Sequence, residues 1–231
     1  MAQYYNDPND ISSSSIKAEN IRYYERSTIV RDVGNWFVGG RRINVFAAID
    51  FAFSKRKTAD WTAIVVIGQD SNNSYYVLEI DRFKTNLISE YFSHILKLHS
   101  KWDFRKIRCE VSVAQEIIVK DLKENYVRPN GLSLTLEVFR PTRNMGNKEE
   151  RLEAILQPRY ATGQMVHYRG GNCELLEEEL FMQNPPHDDI KDALASAIEI
   201  AVPPSLRNSN ASNKRNADAS MFNSRFGGVA F

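Results

Sequence analysis

The stretch INVFAAID, Ile43 to Asp50, decides the fold once two later runs are set beside it: WTAIVVI, Trp61 to Ile67, and YYVLEI, Tyr75 to Ile80. Polarity interrupts the first run only at Asn44, until Asp50 closes it. Short runs of β-branched and apolar residues bounded by turn chemistry predict strands. The second run is too continuously apolar for a sheet edge. Asp70-Ser-Asn-Asn73 supplies the turn before the third, so the three predict an antiparallel meander. Leu87, Tyr91, Ile95 and Leu98 then fall at helical spacing, with Ile88 and Phe92 beside them. Ile107 to Val111 reads as a strand, and Ala114, Ile117, Ile118 and Leu122 as a second helix. Leu132 to Phe139 alternates as a strand. Leu152, Ile155 and Leu156 mark a third helix, ended by Pro158 or Gly163. Met165 to Tyr168 reads as a short strand or hairpin arm. Leu175, Leu176 and Leu180 mark a further helix. Ile190, Leu194, Ala197 and Ile198 mark the last one, which Pro203-Pro204 stops.

Three hairpin-linked strands followed by alternating helices and strands imply an α/β protein: a mixed central sheet, meander plus parallel strands, with helices on both faces. This is the element order of the RNase H-like fold. The periodic part spans about 41–204. Residues 1–40, with four consecutive serines and several tyrosines, read as an irregular arm or linker, and 205–231 as a flexible, mildly basic tail rich in Asn, Ser and Ala. The 231 residues carry 42% apolar and 26% charged side chains, an ordinary globular balance. Thirty basic against 29 acidic residues give +1, so no strongly basic character shows in the net charge. The longest apolar runs are about half the ~18 residues of a membrane span, and Met1 to Asn9 has no signal-peptide pattern. Cys109 and Cys173 are too few for a disulfide framework and form no CxxC pair, which excludes zinc-ribbon and thioredoxin readings. They read as packed thiols. His94 and His99 are not at ligand spacing, and Tyr91, Phe92 and Trp102 read as core. The whole predicts a soluble intracellular protein with one core.

The acidic residues at element ends carry the chemistry. Asp50 follows the first strand, Asp60 opens the second, and Glu110 lies inside the fourth. Asp188 and Asp189 begin the last helix after Pro185-Pro186-His187, with Asp192 one turn on. A carboxylate in a central strand must be paired, hydrogen-bonded or bound to metal. If the first and fourth strands are neighbours, Asp50 and Glu110 converge, and the last helix supplies a third wall. Carboxylates meeting at a point repel unless a divalent cation sits among them. An all-oxygen donor set selects hard Mg²⁺ or Mn²⁺. Two such ions about 3.5–4 Å apart would clamp a scissile phosphate. Alone, Asp188 and Asp189 read equally as helix-cap acids, Asp60 as a turn residue, and His187 as an ordinary residue at a helix start. The joint pattern is what argues for a site.

At these residues the chain resembles a known family. DFAFSKRKTADWTAI (Asp50 to Ile64), Glu110 at a strand end and HDDIKDALA (His187 to Ala195) look like the nuclease domain of the large terminase subunit of tailed bacteriophages. NKEERL (Asn147 to Leu152) and GQMVHY (Gly163 to Tyr168) fit the same family, and AQYYNDP (Ala2 to Pro8) is similar to its segment joining the packaging ATPase to the nuclease. The resemblance implies an RNase H-like, metal-dependent endonuclease that cuts concatemeric viral DNA with little sequence preference, using two Mg²⁺ or Mn²⁺ ions. It places metal-binding, catalytic acids on Asp50, Glu110 and Asp188, with Asp60 and Asp189 as additional ligands, and His187 and Asp192 as supporting groups. It implies double-stranded DNA, the packaging ATPase domain, the small terminase subunit and the portal as partners. It also implies a monomer, no membrane, and work in the host cytoplasm. Gly34 to Gly40 lacks the Lys and Ser/Thr of a phosphate-binding loop. No ATPase activity is therefore expected, and the chain reads as an excised or separately encoded nuclease domain.

Lys55, Arg56 and Lys57 beside the acids, and Arg140, Arg143, Lys148 and Arg151 after the fifth strand, are candidate phosphate contacts, or solvated loop charges. Two other functions stay open: a Holliday-junction-resolvase-like nuclease, and a DNA or portal docking module inactive in isolation.

Overall fold

Burial of alternate residues on opposite faces organises the computed structural model, which describes residues 16–52, 61–112, 115–140, 147–182 and 185–205. Along the chain the strands are β1 (Arg22–Tyr23), β2 (Ile29–Asp32), β3 (Asn35–Val38), β4 (Arg41–Asp50), β5 (Thr62–Asp70) and β6 (Tyr75–Phe83). Helix α1 (Ile88–Trp102) and β7 (Lys106–Glu110) follow, then α2 (Glu116–Asp121), which widens into a π-helical turn over Leu122–Val127. β8 (Thr135–Phe139), α3 (Lys148–Ala161), β9 (Met165–His167), α4 (Asn172–Phe181) and α5 (Asp189–Ile200) complete the order.

β4, β5 and β6 form the predicted antiparallel meander, with a register shift between Val66 and Ile67. β7 runs parallel to β4, and β8 parallel to β7, giving the central order β6-β5-β4-β7-β8. β9 adds in parallel outside β6, and β1 outside β9. β4 has one edge on β5 and shares the other. β3 takes its first residues (Trp36 opposite Ile43), and β7 its last (Ala47 opposite Ile107 to Asp50 opposite Glu110).

All nine residues of β5 are buried, which explains its unbroken apolar run: it is central and covered on both faces. Ile64 and Val66 point into one core with α1 and α2, where Tyr91, Ile95, Leu98 and Val119 pack. Ala63, Val65 and Ile67 point into the other, against Leu152, Leu156, Leu176, Leu194 and Ile198 of α3, α4 and α5. Ala193 and Ala197 are buried on α5 and let it lie close across β4 and β5. Asp70 ends β5 buried yet satisfied: its Oδ1 accepts from the Asn72 and Ser74 amides at 2.9 and 2.8 Å, closing the β5–β6 turn.

Two expectations need correction. Residues up to 40 are not wholly irregular: β2 and β3 form a hairpin that extends the sheet through β4, and β1 docks on β9. Gly34 to Gly40 is accordingly a strand between two turns rather than one turn. The third helix passes Pro158 and takes the second of its two expected ends. It runs to Ala161 and ends where Gly163, at φ +67°, turns the chain into β9. A side chain at Gly163 would also collide with the Arg22 guanidinium. Both cysteines are free and buried, as expected. No helix among the described residues is long and apolar enough to cross a membrane.

Candidate active site

Parallel strands in register place their terminal residues side by side. β4 ends at Asp50 and β7 at Glu110, and the two are direct partners, so both carboxylates stand at the same end of two central strands. They share the face covered by α5, as the neighbours of Glu110 confirm: Ser196 Oγ on α5 donates to its Oε2 at 2.8 Å. Asp188 caps α5 at its N-terminus, and the helix then repeats every four residues through Asp192 to Ser196. That stripe faces the strand acids. Asp189 is turned to the adjacent face, where Arg82 of β6 donates to its Oδ2 at 3.3 Å beside Glu179.

α3 inserts two cations among the acids. Its start is set by the Asn147 cap, whose side chain accepts from the Glu149 amide while Glu150 reaches back to the Asn147 amide. The helix phase then aims Lys148 and Arg151, three residues apart, at the site. Lys148 Nζ contacts Asp188 Oδ2 at 2.8 Å and also Asp192. Arg151 Nη2 donates to both oxygens of Glu110 at 3.0 and 3.2 Å, while its own side chain is only 9% exposed.

The electrostatics follow from this crowding. Burial, then the charges of Asp192 and Glu110, push the Asp50 carboxyl well above the usual range. Burial raises Asp192 to about 6 despite the Lys148 ammonium against it. Burial also raises Asp189, with Arg82 opposing. Burial acts to lower Lys148, but Asp192 and Asp188 outweigh it and its pKa rises. Asp192 Oδ1 is buried and has no hydrogen-bond partner among the described residues. A buried carboxylate oxygen left unpaired beside three other acids is a donor set suited to a hard cation. A shallow, open pocket lined by Asp50, Phe51, Ala52, Lys148, Pro186, His187, Asp188 and Asp189 leads to it.

The structure therefore places Asp50, Glu110, Asp188 and Asp192 around the C-terminal ends of β4 and β7, no three of their carboxylates lying within 4.8 Å of one another, with His187 on the pocket wall. Asp189 lies beside them but is held by Arg82. Asp192 is buried against Lys148, close to the charges of Asp50, Asp188 and Glu110, and its spacing of four from Asp188 was the available signal. Ser196, on the same stripe, was missed. Lys148 and Arg151 face the acids here, Arg151 being turned inward on Glu110. Arg140 pairs with Glu116. Asp60, Lys55, Arg56, Lys57 and Arg143 lie outside the described residues.

No family model matches the chain, and no curated protein matches it. Solved structures do. The large terminase nuclease of thermophilic phage G20c aligns with TM-score 0.55 and 15% identity over 84% of this chain and 100% of that one. A second structure of it carries bound zinc. The large terminase nuclease domain of Thermus phage P74-26 aligns with TM-score 0.51 and 16% identity, over 86% and 100% of the two chains. The nuclease domain of the large terminase subunit of bacterial virus Sf6 gives 0.50 and 14%, over 70% and 89%. At such identities the likeness is one of architecture: this chain has the RNase H-like fold of phage large-terminase nuclease domains.

Proposed function

We propose that the chain is a divalent-metal-dependent DNA endonuclease serving viral genome packaging, cutting concatemeric duplex DNA as the nuclease part of a large terminase. The observation that carries this is the placement of Asp50, Glu110, Asp188 and Asp192 around the C-terminal ends of β4 and β7, with Asp192 Oδ1 left unpaired. Asp50, Glu110 and Asp188 would hold Mg²⁺ or Mn²⁺, with Asp192 between them and Asp189 and His187 at the rim. Two bound ions would supply a water activated for in-line attack and charge stabilisation for the leaving 3′ oxygen, giving 3′-hydroxyl and 5′-phosphate ends.

The chain's own residues do the positioning. Arg151 and Ser196 fix both oxygens of Glu110. The β4–β7 register fixes the Asp50 backbone beside that of Glu110. Lys148 holds Asp188 and Asp192 together, and its ammonium would be available to a phosphodiester bound there. The same reading takes duplex DNA as substrate, and expects an ATPase domain, a small terminase subunit and a portal as partners in the host cytoplasm.

The test is nicking and linearisation of supercoiled plasmid in Mn²⁺, Mg²⁺ or EDTA, with Asp50→Asn alongside. Metal-dependent cutting that Asp50→Asn abolishes, with the fold kept by circular dichroism, is the expected outcome. Full cutting by Asp50→Asn would sink the assignment.

A further inference from the structure

On the far side of the sheet from Glu110, where β1 docks on β9, stands a second group of potential ligands. β9 ends at His167, and α4 begins five residues on, so the imidazole faces the first two turns of that helix. There Cys173 and Glu177, four apart, share one helix face. One imidazole nitrogen, the sulfur and one carboxylate oxygen of this trio all lie within 4.8 Å of one another.

Each member is held from outside. Tyr160 Oη is 2.8 Å from His167 Nε2, which leaves Nδ1 for the trio. Tyr23 Oη donates to Glu177 Oε2 at 3.0 Å, leaving Oε1 directed at the imidazole. The Tyr168 backbone hydrogen-bonds Cys173. Outer partners that fix the orientation of His, carboxylate and thiol are the usual support of metal ligands. His167 Nδ1 and Glu177 Oε1 are 3.0 Å apart, close to the ~3.3 Å edge of a tetrahedron built on metal–ligand bonds of about 2 Å.

We propose that His167, Cys173 and Glu177 supply three ligands to a borderline-soft divalent cation, Zn²⁺ in kind, whose fourth position falls to water on the exposed Glu177 side, and that the ion fastens β1 and α4 to the end of β9. The same heavy atoms serve two states. With the proton on Nδ1, His167 donates to Glu177 and accepts from Tyr160. With the other tautomer, Nε2–H donates to Tyr160 and Nδ1 offers its lone pair to the cation. Thiolate, carboxylate and Zn²⁺ sum to zero charge with a neutral imidazole, as a site with His167 and Cys173 fully buried requires. Glu177, with its side chain 16% exposed, is the member nearest the surface. The sulfur separates this site from the all-oxygen cluster at Asp50 by ligand softness, so the two would take different ions.

Cobalt reports this directly, because only a sulfur ligand gives an intense sulfur-to-cobalt charge-transfer band. The full chain, stripped by chelator and titrated with Co²⁺, should show that band, with tetrahedral visible absorption, saturating at one equivalent. One equivalent of Zn²⁺ should erase it. Cys173→Ser should abolish it, Cys109→Ser should keep it, and Glu177→Gln should weaken cobalt affinity by about tenfold or more. No band in folded wild-type protein at stoichiometric cobalt would overturn the proposal, as would a band that survives in Cys173→Ser. If Cys173→Ser does not fold, the wild-type titration and Glu177→Gln decide the question, unchanged affinity in the latter counting against the site.

Discussion

Lys148→Met isolates the most unusual feature of the acid cluster, an ammonium seated where a divalent cation would share the same oxygens. Lys148 contacts Asp188 and Asp192, and the Asp192 side chain is 2% exposed while that of Lys148 is 47% exposed. Charge-assisted hydrogen bonds contribute about 1.5–3 kcal/mol each when shielded. Discounting by roughly half for solvent screening of the exposed ammonium leaves about 2–3 kcal/mol for the two. Methionine keeps the stem's bulk and removes the charge. In EDTA the variant should lose roughly that much stability, a fall in Tm of about 4–10 °C for a domain of this size. The same free energy no longer opposes a cation entering the cluster, so Mn²⁺ should bind about 10- to 100-fold more tightly by calorimetry. Plasmid cutting at saturating Mn²⁺ reports separately on any phosphate role of Lys148. Unchanged or weaker Mn²⁺ affinity in a folded Lys148→Met protein would refute the reasoning.

Four other substitutions probe the arrangement. Asp192→Asn should lower plasmid cutting by at least about a hundredfold if it belongs to the reacting cluster, whereas Asp189→Asn, which stays hydrogen-bonded to Arg82, should cost far less; the reverse ranking would restore Asp189 as the central acid. Burial lifts Glu179 to about 7 from the ordinary 4.5, so the folded state holds its proton more tightly than the unfolded one. The resulting stabilisation is complete below about pH 4.5 and is lost as pH rises through about 7, a change of roughly 3 kcal/mol. Urea unfolding at pH 5 and pH 8 should show the decline, and Glu179→Gln should flatten it. Ile64→Ala removes a fully buried side chain from the central strand and should cost about 3–4 kcal/mol in urea unfolding; a loss under 1 kcal/mol would mean that the core closes around the gap.

The meander was legible because β4, β5 and β6 are long and covered on both faces, so apolar pattern and burial coincide. The β2–β3 hairpin was not, because each strand has only four residues and β2 is mostly exposed, Val30 at 53%, so the few side chains that reach the core, Ile29, Trp36 and Val38, are too few to imprint a period. Its turn runs through Val33 at φ 44°, a conformation that a β-branched residue rarely adopts. Asp50 and Glu110 could be paired from sequence once β4 and β7 were taken as neighbours. That Arg82 of β6, more than a hundred residues away in sequence, holds Asp189 was not legible from local sequence. Lys148 and Arg151 were recognisable as cations, but their inward aim depends on how α3 crosses α5, which local periodicity does not encode.

α5 carries two duties on one cylinder. Ala193 and Ala197 set its height above β4 and β5, while Asp188, Asp192 and Ser196 present the polar stripe a fraction of a turn away. The alanines are in effect a spacer that gauges the gap between the helix acids and the strand acids. A methylene added at Ala193 or Ala197 would tilt or lift the whole helix, and a misplacement of ~1 Å at reacting groups can cost about a hundredfold in rate. Variants at these two plain aliphatic positions should therefore register in turnover before they register in melting temperature.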